Sequence, residues 1–208
     1  VRDGHHEDAG RWWWVPLVVL GVAIVLEGLS FRTAMSETSK IDPRLEAYAT
    51  VDETNAQIGI VVATTSVEPS VTKVLLHIQN DLFDVGADLA TPVVPNPEYP
   101  QLRIEQYYID KLEGWCDEYN EVLPKLRSFI LNGGTPTAAQ LHVARVIARR
   151  AERAAWLAHV EHAETMNDLA IKYLNRLSDL LFILARHANR DQGDILWVPG
   201  GEREQILE

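Results

Sequence analysis

Cysteine is nearly absent from this chain of 208 residues. Cys116 stands alone, so no disulfide can form within the chain and no multi-cysteine metal knuckle can be built. Basic residues are scarce as well: 19 Lys and Arg face 30 Asp and Glu, a formal net charge of −11. A phosphate backbone requires a basic surface, so this balance argues against a general nucleic-acid partner; it leaves room for a small phosphate in a local basic pocket. With 12 Gly and 10 Pro, the chain has too few turn residues for an all-β protein of this size. The hydrophobic fraction is 47% and the charged fraction 24%, a globular composition. The length suits one domain, or one domain plus a tail, with a core that needs no staples.

Long apolar runs are also missing, with one short exception. Residues 12–26, WWWVPLVVLGVAIVL, carry no charge, but a membrane span needs about 20 apolar residues. The run resumes after Glu27 only with Gly28, Leu29, Ser30 and Phe31. The leading segment is acidic (Asp3, Glu7, Asp8) and so unlike a secretory signal. Residues 1–39 therefore read as an atypical tract: a membrane anchor, a buried or partner-bound element, or sequence foreign to the rest. The expected location is cytoplasmic, with membrane association through residues 12–31 as the alternative.

From Lys40 the pattern is helical. Pro43 suits the first turn of a helix reaching about Ala63. A second helix carries Val71, Leu75, Ile78, Leu82, Val85 and Leu89, whose alternating spacings of four and three form one stripe. Four prolines make 91–100 a loop. A third stripe comprises Ile104, Tyr108, Leu112, Trp115, Tyr119 and Val122. Residues 128–137, SFILNGGTPT, read as extended and then turning at Gly133-Gly134. The fourth helix has Thr135 or Thr137 as N-cap and a seam of small residues: Leu141, Ala144, Ala148, Ala151, Ala155 and Ala158. The fifth carries Ala170, Leu174, Leu177, Leu181, Leu184 and Ala188, and the chain after Arg190 reads as loop. The expected fold is all-α, a five-helix up-and-down antiparallel bundle over residues 40–199, with a tail at 200–208.

Charged faces lie away from these seams. Arg145, Arg149 and Arg153 recur every four residues on the fourth helix, flanked by Arg150. Only Glu152 is nearby to balance them, and forked guanidinium donors suit a triphosphate; a solvated face with ion pairs is the plainer reading. On the fifth helix Asn175, Asp179, Phe182 and Arg186 form a stripe opposite the leucines. An aromatic in a polar stripe points to a covering ligand or partner. On the first helix Asp52 and Asn55 flank apolar Val51 and Ile58, and Asp52 reads as a surface residue or the partner of an arginine on the fourth. The seven histidines show no metal pattern: His159 and His162 share a face without a third ligand.

Four blocks in order, 42–59 (DPRLEAYATVDETNAQIG), 78–92 (IQNDLFDVGADLATP), 128–153 (SFILNGGTPTAAQLHVARVIARRAER) and 173–189 (YLNRLSDLLFILARHAN), resemble the PduO-type ATP:cob(I)alamin adenosyltransferase family. The resemblance implies a five-helix bundle assembled as a homotrimer, with active sites between subunits. It implies transfer of the 5′-deoxyadenosyl group of ATP to the cobalt of cob(I)alamin, leaving triphosphate. Arg145, Arg149, Arg150, Glu152 and Arg153 match the family's ATP motif, Asn175 its nucleotide-contacting Asn, and Lys40 its phosphate-contacting Lys. Asp179 is grouped with Asn175 on the binding face. Asp52 matches an Asp that pairs across the interface with the residue matching Arg145. Phe129 and Phe182 match aromatics on the corrin side, where displacement of the cobalt's lower ligand eases its reduction. Arg145, Asp52 and Phe129 are thus the expected catalytic residues, ATP, Mg²⁺ and cob(I)alamin the expected ligands, and no protein-held metal is expected. A cob(II)alamin reductase and an adenosylcobalamin-dependent enzyme are the implied partners.

The chemistry is consistent with these residues. Cob(I)alamin is itself a strong nucleophile, so the protein supplies no base for attack at the ribose 5′ carbon. It must align the reactants and stabilise the departing triphosphate, a task for arginines and Mg²⁺. Two departures stand out. Asn132 occupies a position where the family has Pro, a turn substitution expected to be tolerated. Nothing in residues 1–39 matches the family's Thr/Gly-rich phosphate segment. That leaves a reading-frame or start-site error, or a lost part of the ATP site. The competing functions are a non-catalytic cobalamin-binding carrier or sensor and a membrane-tethered helical protein.

Overall fold

The computed structural model describes residues 41–200; the tract at 1–39, Lys40 and residues 201–208 lie outside the described part. Five α-helices follow in order: α1 (Pro43–Thr64), α2 (Pro69–Ala90), α3 (Gln106–Glu121), α4 (Pro136–His162) and α5 (Asp168–Ala188), with a 3₁₀ turn at Ala163–Thr165. Their starts follow from local chemistry. Asp42 caps α1 by accepting from Arg44 N at 2.8 Å, ahead of Pro43 in the first turn. Thr135 caps α4 through Ala138 N, which settles the choice between the two threonines. Asn167 caps α5 through Leu169 N.

The seams read from the sequence form the core. Every α2 stripe residue is buried, as is every residue of the small α4 seam. α1 packs most extensively against α4, whose seam beyond Leu141 consists of alanines that let a neighbouring backbone approach. α4 packs in turn on α5, α1 on α2, and α3 on α5. At one end of the bundle Thr137 Oγ1 meets Ser66 O, and at the other His162 Nε2 meets Asp42 Oδ1 at 3.0 Å, so α1 and α4 run antiparallel. Direction alternates along the sequence, yet α3 and α5 lie parallel as neighbours. The start of α5 joins that of α3 through Asn167 Nδ2 to Ile104 O, and the ends meet through the Tyr119 and His187 rings. The long connections on either side of α3 permit this.

Three details differ from the sequence reading. Val122 is 65% exposed, because α3 has ended and the chain turns away there. Arg186 is buried and not part of an outer polar stripe: its Nε pairs with Asp194 Oδ2 at 2.9 Å and its Nη2 donates to Pro124 O. The segment after Arg190 is also more than loop. It returns beside residues 129–131 as a short antiparallel pairing, with Leu131 N to Ile195 O at 2.7 Å and Trp197 N to Phe129 O at 2.8 Å. No described helix is long and apolar enough to cross a membrane.

Candidate active site

α4 carries the arginines. Arg145 is half-buried, whereas Arg149 and Arg153 are exposed and make no ion pair with a described residue. Burial, and secondarily Arg149, lower the pKa of Arg145, so its charge stands in a poorly hydrated and like-charged setting. Its Nη2 donates to Asn132 Oδ1 at 3.1 Å, and its buried Nε has no partner. Arg150 points the other way and forms an ion pair with Glu53 of α1. Glu152 pairs with no arginine; its Oε1 accepts from Asn175 Nδ2 of α5 at 2.9 Å. Glu53 thus balances Arg150, while Arg149 and Arg153 have no acid paired to them among the described residues, because Glu152 is engaged by an amide. Asp52 is exposed and makes no hydrogen bond or ion pair with a described residue.

Two clefts collect these side chains. One, of about 520 Å³, is lined by Leu126, Ser128, Phe129, Ile130, Asn132, Arg145 and Phe182. Phe129 is 79% exposed and meets Trp197 edge-on, with ring centroids 6.1 Å apart. Phe182 is partly buried and rests against the ring of His142. The second cleft, of about 380 Å³, lies among α3, α4 and α5 and includes Glu152, Trp156, Asn175 and Arg176. Asp179 borders it, holding Arg176 Nη1 at 2.8 Å, while Arg176 Nε reaches Glu113. The structure thus gathers Phe129, Phe182 and Arg145 at one cleft and Glu152 and Asn175 at the other.

Sequence reasoning missed Asn132, Trp156 and Arg176 as cleft residues, and Trp197 as the ring set against Phe129. The departure at Asn132 was visible as a departure, but not as a contact. Trp197 offered no signal, because its role depends on the returning tail.

The lone cysteine is not an activated nucleophile: burial, reinforced by Asp179, pushes the Cys116 thiol up to about 11. Among the described residues no group of three or more His, Cys, Asp or Glu side chains is arranged to hold a metal. A further hollow of about 450 Å³ between the α1–α2 loop and the end of α5 is lined by none of the site residues expected from the sequence. There Glu68 accepts from Ser70, His187 and Arg190, and these bonds lower its pKa.

Comparison with known proteins agrees with this architecture. The family model described as cobalamin adenosyltransferase matches residues 27–188, beginning before Lys40. A corrinoid adenosyltransferase of Mycobacterium bovis is 58% identical over 177 residues, covering 85% of this chain and 91% of that protein. A cobalamin adenosyltransferase of Cupriavidus metallidurans is 44% identical, covering 78% of this chain and 84% of its own length. Among solved structures, a variant of the PduO-type ATP:corrinoid adenosyltransferase from Lactobacillus reuteri, complexed with cobalamin and ATP, is 38% identical. It superposes with a TM-score of 0.69 over 77% of this chain and 89% of that one. With a model match across most of its length and relatives this similar, the chain belongs to the cobalamin adenosyltransferase family.

Proposed function

We propose that this chain transfers the 5′-deoxyadenosyl group of ATP to the cobalt of cob(I)alamin, forming adenosylcobalamin and triphosphate. One observation carries the residue assignment: Arg145, Arg149 and Arg153 share one face of α4, and Arg145 also lines the cleft walled by Phe129 and Phe182. Co(I) supplies the electron pair for the new Co–C bond. The C5′–O bond breaks, and its electrons leave on the triphosphate as cobalt becomes Co(III). Negative charge gathers on the leaving group, where the uncompensated guanidiniums of Arg149 and Arg153 stabilise it. Asn175, steadied by Glu152, orients the nucleoside, with Asp179 at the edge of the same cleft. Lys40 contacts the phosphates, and Arg150 acts through its bond to Glu53. Mg²⁺ would be held by the ATP phosphates, since no described side-chain cluster is arranged for it, and would neutralise charge on the departing triphosphate. Phe129 and Phe182 exclude water and the corrinoid's lower ligand from the cobalt.

The active unit in this reading is a homotrimer, in which Asp52 of one subunit pairs with Arg145 of the next. That Asp52 has no described partner in its own chain supports it, and sedimentation as a monomer would count against it. A reductase delivers cob(I)alamin, and ATP as co-substrate fits a cytoplasmic location. The test is single-turnover adenosylation by the full chain with ATP and chemically reduced cobalamin. Arg149→Ala or Arg153→Ala should each raise the barrier by about 2–4 kcal/mol, the scale of one transition-state donor. A chain that binds cobalamin but never adenosylates it would be the non-catalytic relative. Unchanged turnover and ATP affinity in both variants would make the arginine face merely solvated.

A further inference from the structure

Asn132 stands where the aromatic cleft meets the arginine face. Its Oδ1 accepts from Arg145 Nη2 at 3.1 Å, and both residues line the cleft with Phe129 and Phe182. Among the described residues this is the one hydrogen bond that Arg145 makes. The guanidinium is half-buried, its Nε is buried without a partner, and Arg149 repels it. A charge in that setting, with no carboxylate paired to it among the described residues, has a single neutral acceptor to orient it.

The backbone on either side of that exposed acceptor is tied down. On one side Leu131 N donates to Ile195 O at 2.7 Å. On the other, Gly133 O accepts from Asn189 Nδ2 at 2.9 Å, and Thr135 N donates to Asn189 Oδ1 at 2.9 Å. The turn bearing Asn132 is therefore tied both to the returning tail and to the end of α5.

An amide and a carboxylate would act differently at this position. A carboxylate would orient the guanidinium but also neutralise it within its own subunit. A residue with no side-chain acceptor, such as the Pro that the family has here, would give the guanidinium no acceptor from this turn. The amide orients it and leaves its charge intact.

We propose that Asn132 is a positioning residue, whose amide fixes the Arg145 guanidinium at the mouth of the cleft with its charge uncancelled. This rests on the reading of Arg145 as an active-site residue.

The test is a double-mutant cycle on the full chain, read by single-turnover adenosylation at saturating ATP, with ATP affinity and melting midpoint measured alongside. Asn132→Ala should slow the reaction about tenfold, the scale of one hydrogen bond to a charged group, while ATP affinity and melting stay near their original values. Arg145→Lys lacks the fork that Asn132 orients, so Asn132→Ala should add less than about twofold in that background. Losses that multiply independently, an unaffected Asn132→Ala, or a loss that follows the melting midpoint would each overturn the proposal. Arg145→Ala at the original rate would overturn the reading of Arg145 as well. Loss of activity in Arg145→Ala with none in Asn132→Ala would remove only the positioning role.

Discussion

Replacing Phe129 by alanine distinguishes a wall from a plug. A phenylalanine in a core is worth about 3–5 kcal/mol when truncated to alanine. Phe129 is 79% exposed, so only about a fifth of its surface is covered. A phenylalanine exposing roughly 200 Å² then buries about 40 Å², which contributes about 1 kcal/mol at about 25 cal/mol per Å². The edge-on contact with Trp197 adds about 0.5–1.5 kcal/mol when well packed, and less at this exposure. The stability loss should therefore stay near or below about 2 kcal/mol, a fall of no more than about 8 °C in the melting midpoint for a chain of this size. Function should suffer far more. On the role proposed for Phe129, loss of the ring should admit water and the lower ligand to the cobalt and slow adenosylation by roughly one to two orders of magnitude, with ATP binding nearly unchanged. The assay is a pair: a thermal melt, and the optical spectrum of bound cob(II)alamin with ATP present. A variant that melts much lower yet still shows the four-coordinate spectrum would refute the reasoning and make Phe129 structural.

Two further outcomes follow from the same region. Gly134 sits at φ +106°, and an added Cβ would strike the side chain of Asn189. Gly134→Ala should cost about 2–5 kcal/mol, from backbone strain and the disturbed Asn189 bonds, read as a lower denaturant midpoint; an unchanged midpoint would show that the turn yields freely. His142 is 1% exposed, neither ring nitrogen has a hydrogen-bond partner, and it faces Arg145, Asp194 and Phe182. Burial chiefly, then Arg145, lower its pKa, while Asp194 opposes them. The unfolded chain takes up a proton as pH falls through about 6.5 and the folded one resists, so stability holds above that pH and is lost below it. His142→Leu should flatten the fall in melting midpoint between about pH 7.5 and about pH 5.5; an equally steep fall would assign it to other groups.

The sequence by itself determined the helices and their inward faces. The α2 stripe from Val71 to Leu89 and the α4 seam from Leu141 to Ala158 are legible because helical periodicity is local: each residue's neighbours three and four positions away decide which side is apolar. The family was legible for a related reason, since the blocks containing Arg145–Arg153 and Asn175–Phe182 are contiguous. Only the tertiary structure decided what crosses between elements. Arg150 reaches Glu53, and Glu152 reaches Asn175, because of the register in which α4 lies against α1 and α5. Arg186 carries the same charge as its surface counterparts but is buried, since Asp194 on the returning tail and Pro124 O from the α3–α4 connection meet it. Phe129 stands exposed because residues 129–131 pair with the returning tail at Ile195–Trp197 and not with a helix. A periodic pattern shows which face of a helix turns inward; which distant residue waits there depends on how the whole chain packs.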